Sequence, residues 1–236
     1  MTKSNEGVTV LKSSEYYCWE DDVKMREYVV FLPYGAVVDK MEVGIITGSK
    51  IEKPSQYKYD LPVLVYGSSI VHGAWALRSA SVYSNILSRM FDADFINLGF
   101  AGNAHAEIPM MEYIADQKIS LFIYDYDHNA PTVDELKETH YRGYEIFRKK
   151  QPDTPVIMAS KVDYYRNPKA ADLRRAVIME SYAKGITNGD KNLYFVDGKD
   201  IYGENPEEYS YDGCHPNDAG YLKMAQAFAK VIKNIL

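Results

Sequence analysis

Beyond residue 61 the chain alternates two patterns of apolar and polar positions. Short, almost unbroken apolar runs fall at 63–66, 95–98, 119–124, 155–159 and 193–196. Runs of this length, bounded by glycine, asparagine, aspartate or proline, predict strands buried on both faces. Between them lie longer stretches at 81–91, 106–117, 133–150 and 170–188, in which apolar residues recur at three- and four-residue steps and predict helices. A last helix is expected from Asn217, with Leu222, Ala225, Phe228, Ile232 and Ile235 as its buried stripe. Asn217 suits its N-cap, Pro216 precedes it, and Asp218 favours the positive end of the helix dipole. Strands alternating with helices imply a parallel sheet covered on both faces, so the predicted class is α/β, a three-layer doubly wound sheet.

The first sixty residues have a different texture. Residues 27–35 read as a strand ending in a turn, and 37–46 continue with apolar residues alternating around Met41, Val43 and Ile45. Together they predict a small N-terminal β ribbon or partial β-sandwich, followed by a linker over 51–60 that contains Pro54 and Ser55. The expected division is therefore 1–60 for the N-terminal β element and linker, and 61–236 for the catalytic domain. Tyr28, Val30 and Leu32 alternate with Val29 and Phe31, so both faces of the first segment are largely apolar. At least one face needs a cover, either the α/β domain or a second subunit, which makes a homo-oligomer built through this element a candidate arrangement.

Four polar or glycine-containing segments carry the candidate chemistry. Gly67-Ser68-Ser69-Ile70 follows the first apolar run, and Asn97-Leu98-Gly99-Phe100-Ala101-Gly102-Asn103 follows the second. Asp125-Tyr126-Asp127-His128-Asn129-Ala130-Pro131 follows the third, and Asp212-Gly213-Cys214-His215-Pro216 precedes the last helix. In an open parallel sheet, ligands bind beyond the carboxyl ends of the strands, so these segments should converge. They offer a serine on a strand-to-helix turn and a histidine with a carboxylate three residues upstream. A serine hydroxyl is a poor nucleophile until a base removes its proton, and that base needs an acid to fix its tautomer.

In these four segments, and in their order, the chain resembles the SGNH (GDSL-type) hydrolase superfamily, and the likeness runs from about residue 62 to the C-terminus. The resemblance implies a flavodoxin-like sheet with Ser69 as nucleophile, His215 as base and Asp212 as orienting acid. It further implies an oxyanion hole built from Ser69, Gly102 and Asn129. Two positions depart from the family pattern: Ser68 stands where the name-giving motif has Asp, and no Gly-x-Asn-Asp surrounds Asn129. His72, His105 and His128 lie in or beside the same segments and are candidate substrate contacts, whereas His140 sits within a predicted helix and reads as structural.

The implied activity is that of a serine esterase or acylhydrolase. It would cleave short-chain acyl oxygen esters, acetyl first among them, on small molecules or carbohydrates, through an acyl-enzyme and without a cofactor. Acyl transfer or thioester cleavage would use the same residues. A non-catalytic carbohydrate-binding module is the alternative of another class, but it would not need an intact Ser, His and Asp. The rim tyrosines, among them Tyr164, Tyr165, Tyr202 and Tyr209 to Tyr211, could stack on sugars.

Composition narrows the remaining possibilities. A net charge of −6 argues against a nucleic-acid surface, and no apolar run is long enough to span a bilayer. The residues from Met1 to Gly7 lack the apolar core of a signal peptide, which makes a cytoplasmic location the expectation. Cys18 and Cys214 suggest neither a disulfide framework nor a cysteine-based metal site. Asp125, Asp127 and Asn129 mimic the start of a calcium loop, but Ala130 and Leu136 stand where that loop needs Gly and Glu. No metal is expected.

Overall fold

The computed structural model describes residues 2–3, 9–10, 24–33 and 37–236. Near the start, β1 (Thr2–Lys3) and β2 (Thr9–Val10) form a two-residue antiparallel pair. Five parallel strands make the main sheet: β3 (Val63–Gly67), β4 (Phe95–Gly99), β5 (Leu121–Asp125), β6 (Val156–Ala159) and β7 (Leu193–Val196). Their spatial order is β4-β3-β5-β6-β7. The chain therefore leaves β3 toward one side and later returns to its other side, which puts a topological switch point at the carboxyl end of β3.

The central strands β3, β5 and β6 are buried along their whole length because both faces are covered, whereas the edge strand β4 is half-buried and exposes Asn97. Val63 and Val65 join one core with Tyr83, Leu87, Met224 and Phe228, under α2 (Tyr83–Phe91) and α6 (Asp218–Ile232). Leu64 and Tyr66 join the other with Met111, Leu136, Phe147 and Ile178, under α3 (Ile108–Ala115), α4 (Val133–Lys150) and α5 (Pro168–Thr187). The three-layer α/β architecture is the one expected from the sequence.

Several boundaries differ for physical reasons. The helix expected over 106–117 begins only at Ile108, since Ala106 has φ 52° and cannot continue a right-handed helix. The buried stripe of α6 is Tyr221, Met224, Ala225, Phe228 and Ile232, whereas Leu222 is exposed. One residue is a rotation of about 100° around a helix, which is enough to move Leu222 off the core face. Asn217 caps this helix as expected, its Oδ1 accepting the Gly220 N–H at 3.0 Å.

The strands expected at 27–35 and 37–46 are not formed among the described residues there, and positions 34–36 lie outside the description. Val29 and Val37 stay largely exposed. Alternation tells which side chains would share a face, but a strand exists only where a second backbone supplies its hydrogen bonds. Cys18 also lies outside the described residues. No helix among the described residues is long and apolar enough to cross a membrane.

Candidate active site

The carboxyl ends of β3, β4 and β5 are in register, with Gly67 opposite both Gly99 and Asp125. Close approach makes glycine necessary at two of these ends. A Cβ on Gly67 would lie 1.9 Å from the Asp125 carbonyl oxygen, and one on Gly99 would lie 2.1 Å from the His72 nitrogen. The sequence reading missed both, although each stands at the end of an apolar run.

After Gly67 the chain turns sharply into α1 (Ser69–His72). Buried Ser68 is the N-cap, its Oγ accepting the Ile70 N–H at 3.2 Å. Ser and Asp both serve well as N-cap acceptors, which accounts for Ser68 at the position where Asp was expected. The capping job falls to Ser68, and the Ser69 hydroxyl instead faces His215, with Oγ 2.9 Å from Nε2. On the other side of the ring, His215 Nδ1 is 2.7 Å from Asp212 Oδ2.

The loop that presents this pair is closed on itself. Asp212 Oδ1 accepts the N–H groups of Cys214 and His215 at 2.9 and 2.7 Å. Tyr211 N–H donates to the His215 carbonyl at 2.9 Å, and Gly213 makes the turn with φ 82°. Burial pushes the Asp212 carboxyl up, but the hydrogen bonds from His215 and Cys214 outweigh it and hold the carboxyl at about 2. Asp212 is thus a carboxylate at any pH where the fold is useful. From α6, the Tyr221 hydroxyl donates to Ile70 O and Ala74 O at 3.2 and 2.7 Å, which clamps the turn that carries Ser69. Tyr221 was not singled out in the sequence, where the buried stripe was placed one residue later, at Leu222.

The expected oxyanion donors stand on the neighbouring loops. Gly102 has φ 73°, and nothing lies within 4 Å of where its Cβ would be. Its glycine is therefore required by the left-handed backbone and not by close packing against the protein. Asn129 ends a short 3-10 turn, Asp127–Asn129. Its Oδ1 accepts the Ala104 N–H at 3.3 Å, which ties the β5 loop to the β4 loop and leaves Nδ2 as donor. The turn is anchored from below by Asp127, whose Oδ1 accepts Arg174 Nε at 2.7 Å.

The three histidines proposed as substrate contacts have different fates. His105 Nε2 lies 3.1 Å from the Gly102 carbonyl, so the ring braces the loop it belongs to. His72 closes α1, half-buried, with its backbone against Gly99. His128 is not brought to the open rim. Its ring is turned inward, with Nε2 3.2 Å from Asp163 Oδ1, and both ring nitrogens are buried without an aligned hydrogen bond. Lys161 Nζ is 3.1 Å from the same carboxylate oxygen. Burial raises Asp163, but His128 and Lys161 outweigh it and hold the carboxyl well below the usual range.

Cys214 joins His128 and Asp163 in a group whose ligand atoms lie within 4.8 Å of one another. The donor types would suit zinc. Lys161, however, already supplies positive charge to Asp163, so this carboxylate is paired within the protein beside the loop that carries His215. Burial first, then the Asp163 charge, push the Cys214 thiol up to about 11. A thiol so rarely ionised near neutral pH is no rival to Ser69. In the calcium-like segment Asp125 and Asp127 are taken by Tyr83 and Arg174. His140 is buried against Tyr124 and Tyr126, and burial pushes it down to about 3, in keeping with a structural role. A separate cleft of about 630 Å³, lined by Tyr144, Arg148 and Asn192, contains none of Ser69, Asp212 or His215.

Asp125 carries a stability prediction. Burial raises its carboxyl to about 7, from 3.8 in an exposed chain. The folded state therefore keeps a proton that the unfolded state releases between these values, and stability falls as pH rises through that window. Asp125→Asn removes the ionisation and can still accept the Tyr83 hydroxyl, which is 2.9 Å away. The variant should melt above the parent at pH 8.5 and close to it at pH 4. Thermal melts across this range check the point, and parallel pH curves for the two proteins would contradict it.

Comparison with known proteins places this geometry in context. A family profile described as the GDSL-like Lipase/Acylhydrolase family matches residues 60–233. Among solved structures, a protein described as a GDSL-like lipase from Bacteroides ovatus ATCC 8483 superposes with TM-score 0.68 at 32% identity, over 75% of this chain and 54% of its own. The salicylyl-acyltransferase SsfX3 from a tetracycline biosynthetic pathway gives 0.65 at 19%, over 75% and 55%. A family two carbohydrate esterase from Clostridium thermocellum, solved with cellohexaose, gives 0.61 at 16%, over 78% and 66%. The chain thus spans about half the length of the first two structures. No curated protein matches it.

Proposed function

The chain belongs to the GDSL-like lipase/acylhydrolase family, and from that premise we propose that it is a serine ester hydrolase acting on short-chain acyl oxygen esters, acetyl above all. The observation that carries this reading is the continuous chain from Ser69 Oγ to His215 Nε2 at 2.9 Å and from His215 Nδ1 to Asp212 Oδ2 at 2.7 Å. His215 takes the Ser69 proton as Oγ attacks the ester carbonyl. The resulting oxyanion is received by the Ser69 and Gly102 N–H groups and the Asn129 amide. Collapse expels the alcohol, which takes its proton from His215, and leaves an acyl group on Ser69. Water, activated by the same histidine, then releases the acid.

Preference for a small acyl group follows from the absence of any long apolar stretch in the sequence that could line a tunnel for a fatty chain. Of the tyrosines expected at the rim, Tyr202 is buried and Tyr165 and Tyr209 pack against the core, so a carbohydrate alcohol is favoured only by the exposed rings of Tyr211 and Trp75. The test is a series of p-nitrophenyl esters from acetyl to decanoyl, together with acetylated oligosaccharides. The acetyl ester should give the highest kcat/KM, with a loss of roughly tenfold or more by octanoyl. A specificity constant that climbs with chain length would overturn the short-acyl assignment.

A further inference from the structure

Trp75 has no part in the chemistry above, yet its conformation is unusual. It has φ 67°, a region that bulky side chains rarely occupy. Both of its neighbours are held. Ala74 N–H donates to the Ser69 carbonyl at 2.9 Å, and Ala74 O accepts the Tyr221 hydroxyl at 2.7 Å. On the far side Ala76 N–H donates to Gly73 O at 3.1 Å, and Leu77 N–H to Asp218 Oδ1 at 2.8 Å. The partners belong to α1 and α6 and to the turn that follows α1, the framework that also fixes the nucleophile.

The indole held in this way is not core. Trp75 is 51% exposed and stacks on Tyr211, itself 67% exposed, with centroids 4.7 Å apart and planes 12° from parallel. It meets the catalytic imidazole in a roughly T-shaped contact, with centroids 6.4 Å apart and planes at 67°. Two large aromatic rings thus stack face to face next to the catalytic base, each covering one face of the other and leaving its outer face to the surroundings. Tyr211 is tied to that base through its N–H bond to the His215 carbonyl.

We propose that the outer face of Trp75, backed by the stacked Tyr211 ring, is a platform for the sugar ring of the ester's alcohol half. The inference rests on the ester-hydrolase reading and names the part of the substrate that this side of the site receives. The leaving oxygen must stand beside His215 Nε2 to collect its proton, so the group bonded to that oxygen lies over the residues flanking His215. The acyl group stays on Ser69. An aromatic face is electron-rich, and a pyranose presents a face of C–H groups that matches it, while its hydroxyls stay in water around the exposed rim.

The experiment compares acetylated gluco-, xylo- and manno-oligosaccharides with ethyl acetate, which has the same acyl group and no ring. For Trp75→Ala, the ratio of kcat/KM on the best sugar ester to that on ethyl acetate should fall by roughly 10- to 100-fold, mainly through KM. Tyr211→Ala should lower the ratio less, and Trp75→Phe should restore much of it. Fluorophosphonate labelling of each variant checks that the serine remains reactive. A ratio unchanged in Trp75→Ala, with both substrates falling together or neither falling, would overturn the platform. A parent enzyme that turns over ethyl acetate but no sugar ester would overturn it too, while leaving the hydrolase reading intact. A parent that neither labels nor hydrolyses any ester would instead remove the hydrolase reading.

Discussion

Ser69→Ala should lower ester turnover by roughly 10⁶-fold without disturbing the fold, and His215→Ala should do nearly the same. Ser69 Oγ is 2.9 Å from His215 Nε2, so each member of the pair is useless without the other. The turn itself does not depend on that hydroxyl, because Ser68 caps α1 and the Tyr221 hydroxyl clamps it from α6. Melting midpoints of both variants should therefore stay near that of the parent. The double variant should be no slower than either single one, because a nucleophile and its base act as a unit. Steady-state kinetics on p-nitrophenyl acetate, corrected for the uncatalysed rate, provide the measurement. Near-native turnover by Ser69→Ala would assign the nucleophile elsewhere.

Asp212→Asn should cost about 10⁴-fold in kcat, and the hydrogen bonds around it say why. One carboxylate oxygen accepts the N–H groups of Cys214 and His215, and the other faces His215 Nδ1 at 2.7 Å. An asparagine can keep its oxygen on the two N–H groups only by turning its amide nitrogen toward Nδ1. That donor requires Nδ1 to be an acceptor, which moves the ring proton to Nε2, where the Ser69 proton has to arrive. The opposite amide orientation sets the side-chain donor against two backbone donors. Both choices lose an interaction that the carboxylate satisfies. With the carboxyl at about 2, compared with 3.8 in an exposed chain, its contribution to stability is present above 3.8 and disappears only as pH falls through about 2. A loss of activity between pH 4 and 7 therefore cannot come from protonation of Asp212. Acid denaturation of parent and variant, followed below pH 4, separates the two effects.

How much of this was legible in the sequence differed from element to element. The five strands were readable because a sheet covered on both faces favours dense apolar runs such as Val63 to Tyr66, and even the half-buried edge strand β4 keeps apolar residues on either side of Asn97. Asp212 and His215 were readable because a single short loop delivers both, so their spacing survives as a local pattern. The direction of His128 was not readable. It stands between two residues of a short turn, and the carboxylate that draws it inward, Asp163, lies more than thirty residues away in sequence. Tyr221 and Trp75 were hidden for a related reason: one resembles ordinary core, and the other depends on a backbone conformation with no sequence signature. The N-terminal segment showed the converse error, since alternation at Met41, Val43 and Ile45 was present without a partner strand among the described residues.

The most direct test of the account is the covalent intermediate. The parent protein is mixed with p-nitrophenyl acetate, quenched in acid within the first turnovers, digested, and its peptides are weighed. One acetyl group should be found on the peptide that contains Ser69, and it should be absent from Ser69→Ala. It should persist in a variant slowed at deacylation. Acetyl on Cys214, or steady hydrolysis with no acetyl on Ser69 at any quench time, would contradict the assignment of Ser69 as the nucleophile.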